Sequence, residues 1–424
     1  MAEHPAGGPG AGPEFPPDDN PVVRLAAPPP PRVLAALAQA ARPMCAYVYD
    51  TEVLAERAAA VREALPPGAT LLYAVKANGH PGVVGALAAA TDGLEVASGG
   101  ELDLAVRAGA RKIAFGGPAK TDDELRAAFA AAATAAVTVH VESVEELRRL
   151  AWLAAEHPVP VSDGRAPGMR VALRVNRAVP GPPGTHAMTG ATPTPFGIDE
   201  EMLPAVADLA RRVHVPIAGF HLHAVSNSLD AAAYAQFVTH AVGWAGWMAN
   251  VLAVPLSYVN VGGGFGISYA DPRRSFDLSA LKGVDFGAAD GVELAFEPGR
   301  FLTADAGWYA AEVLDLKRTR GRWFAVLRGG THHFRLPAAW RYNHPFAVVE
   351  VEDWPYPWRR PEVSDVAVDA VGELCTPRDV LCRGLRVTRL RVGDVLVFPR
   401  TGGYGYDISH REFLRHPHPE VIVL

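Results

Sequence analysis

Cysteine is scarce in this sequence: the chain of 424 residues contains Cys45, Cys375 and Cys382 and no other cysteine. Three widely spaced cysteines cannot build a disulfide framework or a cysteine-rich zinc site, and they are typical of a reducing compartment. Long apolar runs are also missing, since no stretch reaches the roughly 18 residues of a membrane span and no basic start precedes an apolar segment at the N-terminus. We therefore expect a cytoplasmic protein without a membrane partner.

An excess of positive charge is missing as well. The 40 Lys and Arg residues are balanced by 46 Asp and Glu residues, which gives a formal net charge of −6. Proteins that bind nucleic acids need a positive field to neutralise phosphates, so this balance argues against a nucleic-acid partner. The 49% of hydrophobic residues can bury a large core, and we expect a small-molecule substrate.

The first part of the chain has the composition of a tail rather than of a folded element. Residues 1–31 are rich in Pro, Gly and Ala and end in four consecutive prolines, Pro28 to Pro31. Such a segment cannot bury enough apolar surface to form a packed unit. Residues 1–31 are therefore predicted to be disordered.

From about residue 70 to residue 300, short β-like runs alternate with Ala- and Leu-rich helical stretches, which predicts an α/β fold with a parallel sheet. The runs are Leu71–Val75, Leu94–Ala97, Ile113–Phe115, Ala136–Val141, Val171–Val175, Ile217–Leu222, Tyr258–Val261 and Val292–Phe296. Eight parallel strands are the number that closes a TIM-type (β/α)8 barrel. Helical patterns such as Glu145–Ala155, preceded by the N-cap candidate Ser143, and Met202–Arg212 lie between the strands.

After Arg300 the pattern changes to short strands divided by turn residues, which predicts a separate C-terminal all-β domain. The strand candidates are Trp323–Leu327, Ala347–Val351, Val366–Val371, Asp394–Phe398 and Val421–Leu424. We assign residues 46–300 to the barrel and residues 32–45 and 301–424 to the β domain.

In a barrel of this kind the chemistry lies at the carboxyl ends of the strands. The reactive groups at the predicted strand ends are Lys76, Glu95, Arg174, His221, His223, Ser226, Gly262–Gly264, Glu297 and Arg300. His221 and His223 have the spacing of two zinc ligands on one face of a strand. The other strand ends offer no third histidine or aspartate suited to a metal, so we predict no metal site.

The joint pattern fits pyridoxal phosphate. This cofactor needs a lysine amine that bonds to its aldehyde and a carboxylate that keeps its ring nitrogen protonated. Its phosphate needs backbone N–H groups and a cation. Lys76 and Glu297 fill the first two needs, and Gly263, Gly264 and Arg300 fill the others. The imidazole of His223 can lie against the cofactor ring.

Seven sequence motifs follow one another in a recognisable order: YAVKAN at 73–78, EVASGGEL at 95–102, HLHAVS at 221–226, GGGFG at 262–266, EPGR at 297–300, GELC at 372–375 and GGYG at 402–405. Over residues 44–424 the chain resembles the alanine-racemase-fold decarboxylases, which include the ornithine and diaminopimelate decarboxylases. The resemblance implies a decarboxylase that uses pyridoxal phosphate.

The resemblance also implies roles for individual residues. Lys76 would hold the cofactor covalently, His223 would stack on its ring and Glu297 would pair with its ring nitrogen. The phosphate ligands would be Ser226, Gly263, Gly264, Arg300 and Tyr404, with Glu95 and Arg174 around the ring. Cys375 would be the proton donor, lent by the second subunit of a homodimer with shared active sites.

Two departures from the family pattern concern the substrate. Thr376–Asp379 follows the cysteine where diaminopimelate decarboxylases usually have a Glu-Ser pair, and residues 329–335 read GGTHHFR. His332, His333, Arg335 and Arg378 would suit carboxylates. The chain is most similar to the subgroup associated with siderophore biosynthesis, which decarboxylates an amino acid joined to citrate or a similar acid.

Other functions remain open at this point. A free amino-acid decarboxylase of the diaminopimelate or ornithine type would use the same residues, and so would an amino-acid racemase with a second base. A non-catalytic carrier of pyridoxal phosphate would be a single barrel without the β domain. The Gly- and Pro-rich segment 179–195 after the fifth strand is either a lid over the site or a disordered insertion.

Overall fold

The computed structural model describes residues 24–177, 186–187, 193–271 and 273–424. The expected tail therefore lies outside the described residues up to position 23, and of the segment 179–195 only 186–187 and 193–195 are described. The last residues assigned to the tail already belong to the fold. The backbone N–H of Ala26 donates to the carbonyl of Phe346, and a helix begins at Pro31.

The chain alternates helices and strands as the sequence predicts. The α-helices are α1 Pro31–Leu37, α2 Thr51–Ala64, α3 Pro81–Ala90, α4 Gly99–Arg107, α5 Asp122–Ala131, α6 Val144–Glu156, α7 Leu203–Arg212, α8 Ala231–Leu252, α9 Arg300–Thr303 and α10 Leu336–Trp340. Short 3₁₀ helices lie at Val75–Ala77, Glu200–Met202, Leu278–Leu281, Ala304–Ala306 and Phe413–Arg415. No helix in the described part of the chain combines the length and the apolar character that crossing a bilayer requires.

The strands, in chain order, are β1 Cys45–Tyr49, β2 Thr70–Ala74, β3 Gly93–Val96, β4 Lys112–Phe115, β5 Ala136–Val141, β6 Gly168–Asn176, β7 His186–Ala187, β8 Ile198–Asp199, β9 Ile217–His221, β10 Val225–Ser226, β11 Tyr258–Asn260, β12 Glu293–Phe296, β13 Gly307–Thr319, β14 Arg322–Leu327, β15 Ala347–Val349, β16 Glu362–Val371, β17 Val380–Arg391, β18 Val395–Pro399 and β19 Glu420–Val423.

Eight of these strands form the predicted barrel. The order β5-β4-β3-β2-β12-β11-β9-β6 closes on itself because β5 also pairs with β6, and every pairing is parallel. Each strand lies within a few residues of its predicted bounds, and all six residues of β5 are buried. The parallel barrel is therefore confirmed, and the carboxyl ends of its strands share one mouth.

Local sequence signals explain where the surrounding helices begin. The Ser143 side chain accepts a hydrogen bond from the backbone N–H of Glu146, 3.0 Å away, which caps α6 as predicted. Thr121 and Glu124 form a reciprocal capping box at the start of α5. These caps fix where the chain leaves β4 and β5, and with it the direction of the segments at the barrel mouth.

Strand β1 and strands β13 to β19 build the second domain, a sheet in the order β15-β18-β13-β14-β16-β17, in which β1 pairs with β13 and β19 pairs with β1. Of the short strands, β7 pairs with β10 and β8 pairs with β6. The sequence assignment placed residues 46–49 in the barrel. In the structure, β1 pairs antiparallel with β13 and parallel with β19, so it lies in this sheet. The domain also carries α10, which makes it mostly β rather than all-β. A buried apolar cluster continues from the barrel into this sheet and includes Leu71, Phe301 and Phe398.

Candidate active site

Lys76 lies at the barrel mouth, in the 3₁₀ turn Val75–Ala77 that follows β2. Its Nζ forms an ion pair and hydrogen bond with the carboxylate of Glu95 at the end of β3. Burial by itself would lower the pKa of Lys76, but the negative charges of Glu95 and Glu297 outweigh burial and raise it. The Lys76 side chain stays 40% exposed, so its amine is accessible from the mouth.

The β domain fastens the turn that carries Lys76. The backbone N–H of Tyr404 donates to the carbonyl of Ala77 at 2.7 Å, and the amide of Asn78 donates to the carbonyl of Gly402 at 2.9 Å. These bonds place the predicted residue Tyr404 at the barrel mouth. Both domains therefore contribute to the site.

The Glu297 carboxylate lies just past the end of β12 and is buried. Its Oε1 accepts a hydrogen bond of 2.6 Å from Nδ2 of Asn260, and its Oε2 lies 3.3 Å from Nε2 of His221. Burial, followed by the positive charges of Arg174 and Lys76, holds the pKa of His221 well below its usual range. His221 is therefore a neutral imidazole beside the carboxylate.

Three imidazole rings stack across the mouth. The centroids of His140 and His221 are 4.1 Å apart with planes inclined by 26°, and those of His221 and His223 are 6.1 Å apart and inclined by 5°. Burial first, and then the charges of Arg174 and Lys76, lower the pKa of His223, which presents a flat neutral ring.

This stack also bears on the alternative of a metal site. The sequence predicted no third histidine suited to a metal, but β5 supplies His140, and ligand atoms of His140, His221 and Glu297 lie within 4.8 Å of one another. The lone pairs of two imidazoles lie in their ring planes, and nearly parallel stacked planes do not converge on one ion. Proximity alone therefore does not make this group a metal site.

The glycine turn after β11 packs directly against these groups. Gly262 and Gly264 have φ angles of +70° and +120°, which L side chains rarely adopt. A Cβ atom on Gly262 would lie 2.1 Å from Nδ1 of His223, and one on Gly263 would lie 2.5 Å from the carbonyl oxygen of Glu297. Only glycine allows this close approach of the turn to the imidazole and to the backbone of Glu297.

Arg300 begins α9, three residues after Glu297. Its guanidinium lies between the rings of Trp340 and Tyr404, 4.5 Å from each centroid, and donates to the hydroxyl of Tyr269 at 3.2 Å. Ser226 ends the short strand β10 and is half-buried. Of the predicted phosphate ligands, Tyr404 and Arg300 are thus in contact.

Arg174, at the end of β6, donates to the carboxylate of Glu142 at 2.8 Å, and both side chains are buried. Glu142 also accepts from the backbone N–H groups of Gly117 and Gly197. The Nε of Arg174 is buried without a hydrogen-bond partner among the described residues. Glu142 therefore orients Arg174, while one guanidinium donor remains available.

The four predicted substrate residues differ in their surroundings. His332 and His333 are fully buried in the β domain, and Arg335 and Arg378 are exposed. Burial, then neighbouring basic groups, lower the pKa of His332 to about 4 and that of His333 to about 2. Neutral imidazoles offer N–H groups rather than positive charge, so any attraction for carboxylates rests on the two arginines.

Cys375 is exposed on the turn between β16 and β17. Asp379 braces this turn: its carboxylate accepts from the backbone N–H of Thr331 at 2.6 Å and from that of Leu374 at 2.9 Å. Within the described part of the chain, no hydrogen bond, ion pair or ring contact links Cys375 to Lys76. The predicted amine lies at the barrel mouth, and the predicted thiol lies on a loop of the β domain.

Sequence reasoning missed three polar residues that organise this arrangement. Glu142 follows β5 and Asn260 ends β11, positions at the barrel mouth that the strand-end argument could have included. Asp379 gives no such signal, because its partners Thr331 and Leu374 are brought to it by the fold of the β domain.

Comparison with known proteins identifies the class. The family model described as the pyridoxal binding domain of pyridoxal-dependent decarboxylases matches residues 51–304. The chain belongs to this family of pyridoxal-phosphate-dependent decarboxylases.

Individual relatives agree with the family assignment. The chain is 38% identical, over 92% of its length and 97% of the relative, to 2-[(L-alanin-3-ylcarbamoyl)methyl]-2-hydroxybutanedioate decarboxylase of Staphylococcus aureus. It is 31% identical, over 89% of both chains, to diaminopimelate decarboxylase of Deinococcus radiodurans. Among solved structures, diaminopimelate decarboxylase of M. jannaschii in complex with L-lysine superposes with a TM-score of 0.77 over 92% of this chain and 89% of that one, at 23% identity. The last comparison shows the fold.

The enzyme is thus a carboxy-lyase that uses pyridoxal phosphate, and its residues fit that cofactor. An accessible lysine amine lies beside a carboxylate, a second carboxylate lies beside neutral imidazoles, and the glycine turn leaves no room for side chains. Ring nitrogens of His221 and His223 are buried without hydrogen-bond partners among the described residues, as expected for donors that face a ligand. When bound, the cofactor withdraws electrons from the bond to the departing carboxylate.

Proposed function

We propose that this decarboxylase acts on an amino acid joined through an amide to citrate or a related polycarboxylic acid, as in siderophore assembly. The similarity to the Staphylococcus aureus enzyme, whose name describes such a conjugate, carries the proposal because it spans 97% of that enzyme at 38% identity. The diaminopimelate decarboxylase of Deinococcus radiodurans, which has a smaller substrate, is 31% identical.

A group of cationic side chains near Cys375 supports this substrate class. The backbone N–H of Thr331 binds Asp379, and that of Arg335 donates to Ser409 at 3.0 Å, so three loops of the β domain meet here. They carry the exposed residues Arg335, Arg378 and Arg411. Guanidinium groups bind carboxylates in a bidentate manner and repel a free distal ammonium group.

The proposal assigns roles at the barrel mouth. Lys76 holds the cofactor covalently. Until the cofactor binds, the Glu95 carboxylate pairs with the protonated amine of Lys76. Glu297 keeps a proton on the ring nitrogen, and His223 lies against the ring. The remaining contacts are Ser226, Gly263, Gly264, Arg300 and Tyr404 at the phosphate and Arg174 near the ring.

Cys375 gives a proton to the former α carbon and comes from a second subunit in this proposal. Its exposure on a turn of the β domain, where the site of a second subunit can reach the thiol, supports a homodimer with shared sites. Mixing Lys76→Ala subunits, which cannot hold the cofactor, with Cys375→Ala subunits, which form little correctly protonated product, should restore up to about a quarter of the wild-type product formation, because half the dimers are mixed and each has one intact site. No recovery despite demonstrated subunit exchange would contradict shared sites.

A cytoplasmic location is also proposed. The three cysteines are free thiols in the structure, and Cys375 is exposed. An exposed thiol that must stay reduced suits a reducing compartment. Cell fractionation with antibody detection tests this, and recovery of the protein outside the cytoplasm would contradict it.

The substrate is tested by CO2 release from a panel of free diamino acids and the same amino acids joined to citrate. We expect kcat/KM to be at least about tenfold higher for a conjugate, since each bidentate pair with an arginine contributes more than one kcal/mol. Arg378→Gln should remove most of this preference, whereas Arg359→Gln, at a position 88% exposed on another loop, should not. A free diamino acid that is decarboxylated faster than every conjugate would overturn the substrate assignment.

A further inference from the structure

Asn260, the last residue of β11, is fully buried and makes three hydrogen bonds with its side-chain amide, of which two concern the site. Its Nδ2 donates to Oε1 of Glu297 at 2.6 Å, and its Oδ1 accepts from the backbone N–H of Gly262 at 2.8 Å. One amide group therefore joins the carboxylate that follows β12 to the first glycine of the turn that follows β11.

The chemistry of the partners fixes the orientation of this amide. A carboxylate oxygen can only accept and a backbone N–H can only donate, so a flipped Asn260 amide would place oxygen against oxygen and N–H against N–H. Nδ2 also donates to the hydroxyl of Tyr258 at 2.7 Å, a contact that is compatible with this orientation. No other residue type of this size offers a donor and an acceptor in this arrangement.

The backbone around Asn260 is held equally firmly. The carbonyl of Asn260 accepts from the N–H of Leu222 at 2.7 Å, and the N–H of Glu297 donates to the carbonyl of Gly262 at 2.8 Å. Another group beside Glu297 is His221, whose Nε2 lies 3.3 Å from the carboxylate without well-formed hydrogen-bond geometry. Asn260 is thus the side chain that holds the Glu297 carboxylate most closely.

We propose that Asn260 is a positioning residue that fixes the Glu297 carboxylate in register with the Gly262–Gly264 turn. The inference rests on the residue roles proposed above, in which Glu297 faces the ring nitrogen of the cofactor and the turn holds its phosphate. The ring nitrogen and the phosphate of the cofactor are then bound by Glu297 and by the glycine turn. The amide of Asn260 sets the distance between these two binding groups. Preorganisation of this kind lowers the entropic cost of binding.

Two substitutions separate the bond to Glu297 from the bond to Gly262. Asn260→Ala removes both of these bonds and the bond to Tyr258. Asn260→Asp keeps an acceptor for the N–H of Gly262 but places an oxygen against Oε1 of Glu297, where two carboxylates at this distance must share a proton. The aspartate variant therefore disturbs the ring-nitrogen end of the site and spares the turn.

Thr70→Val is the matched control. Thr70 Oγ1 donates to Oε1 of Glu293 at 2.6 Å, which is the same kind of bond to a carboxylate of the same strand, β12, at the opposite end of the barrel. Its loss should weaken folding in a similar way without touching the cofactor. Any effect shared by both sites is then a general effect on stability.

The experiment measures cofactor binding to the apoprotein, the pH titration of the visible absorption band and the ³¹P spectrum of the bound phosphate. For Asn260→Ala we expect the dissociation constant to rise about 10- to 100-fold, as for loss of a buried hydrogen bond to a charged group, and the ³¹P signal to shift. For Asn260→Asp we expect the pH midpoint to move by about one unit or more while the ³¹P signal stays in place. Thr70→Val should change none of these.

The inference would be overturned if Asn260→Asp had a pH midpoint within about half a unit of wild type and a dissociation constant within about threefold of wild type. Equal effects in Thr70→Val would overturn it as well. If Asn260→Ala does not fold, the comparison of Asn260→Asp with Thr70→Val decides alone. The variant Glu297→Gln separates this failure from a failure of the proposed function. If the pH titration of the absorption band is unchanged in Glu297→Gln, the role of Glu297 is refuted. If that titration changes in Glu297→Gln but stays as in wild type in Asn260→Asp, only the role of Asn260 is refuted.

Discussion

Replacing Asp379 with alanine should loosen the turn that carries Cys375. The carboxylate of Asp379 accepts two backbone hydrogen bonds, at 2.6 Å from Thr331 and at 2.9 Å from Leu374, and all these groups are buried. A buried hydrogen bond to a charged group contributes about 1.5 kcal/mol or more. We therefore expect Asp379→Ala to lower the free energy of unfolding by about 3 kcal/mol, and Asp379→Asn by at least about half as much, because its amide nitrogen would face a backbone N–H.

Urea unfolding measures this loss, and the exposed residue Asp353 provides the control variant Asp353→Ala. Activity gives the second readout, because a displacement of about 1 Å in a reacting group can cost about 100-fold in rate. Product formation should fall at least about tenfold in Asp379→Ala, while cofactor affinity stays close to wild type. An unfolding free energy within about 0.5 kcal/mol of wild type would show that these two bonds do not brace the turn.

Three further predictions concern charge and proton transfer. Cys375→Ala should still release CO2 but protonate the product slowly or on the wrong face, and a wild-type product yield would count against the thiol. Glu95→Gln removes a charge that raises the pKa of Lys76, so the variant should capture the cofactor at lower pH, and an unchanged pH profile would contradict this role. Burial lowers the pKa of His332 from 6.5 to about 4, so between these pH values the unfolded chain binds a proton that the folded chain does not. The free energy of unfolding should therefore fall as the pH drops from 6.5 to 4, and His332→Asn should make this fall smaller. Equal pH dependence of the unfolding free energy in both proteins would exclude the effect.

The barrel could be predicted because each strand is a short apolar run and each following helix has a helical pattern, often with an N-cap residue. Both patterns are visible in the sequence. Strand β1 could not, since Cys45–Tyr49 precedes α2 just as a barrel strand precedes its helix. Its pairing with β13 joins residues more than 250 positions apart, as in Cys45 opposite Ala311, and no local pattern records such a contact.

Some residues of the site could likewise be predicted from the sequence, and others could not. Lys76, Glu297 and the glycine turn could be placed together because all follow barrel strands, which meet at one mouth. The lowered pKa values of His332 and His333 could not be predicted, because only the fold shows that both rings are completely buried in the β domain. The sequence places Asn260 at a strand end but does not predict its role, because its hydrogen bonds to Glu297 and Gly262 are evident only in three dimensions.

The central claim is that Lys76 holds the cofactor. Borohydride reduction would make the bond between the amine and the cofactor permanent, and peptide mass mapping would then locate the pyridoxyl phosphate group. We expect the label on Lys76 alone, because Lys112 lies at the opposite end of the barrel beside Glu293 and the Lys120 side chain is only 1% exposed. Stoichiometric label on Lys112, Lys120, Lys282 or Lys317 of the folded protein, with Lys76 unmodified, would contradict it.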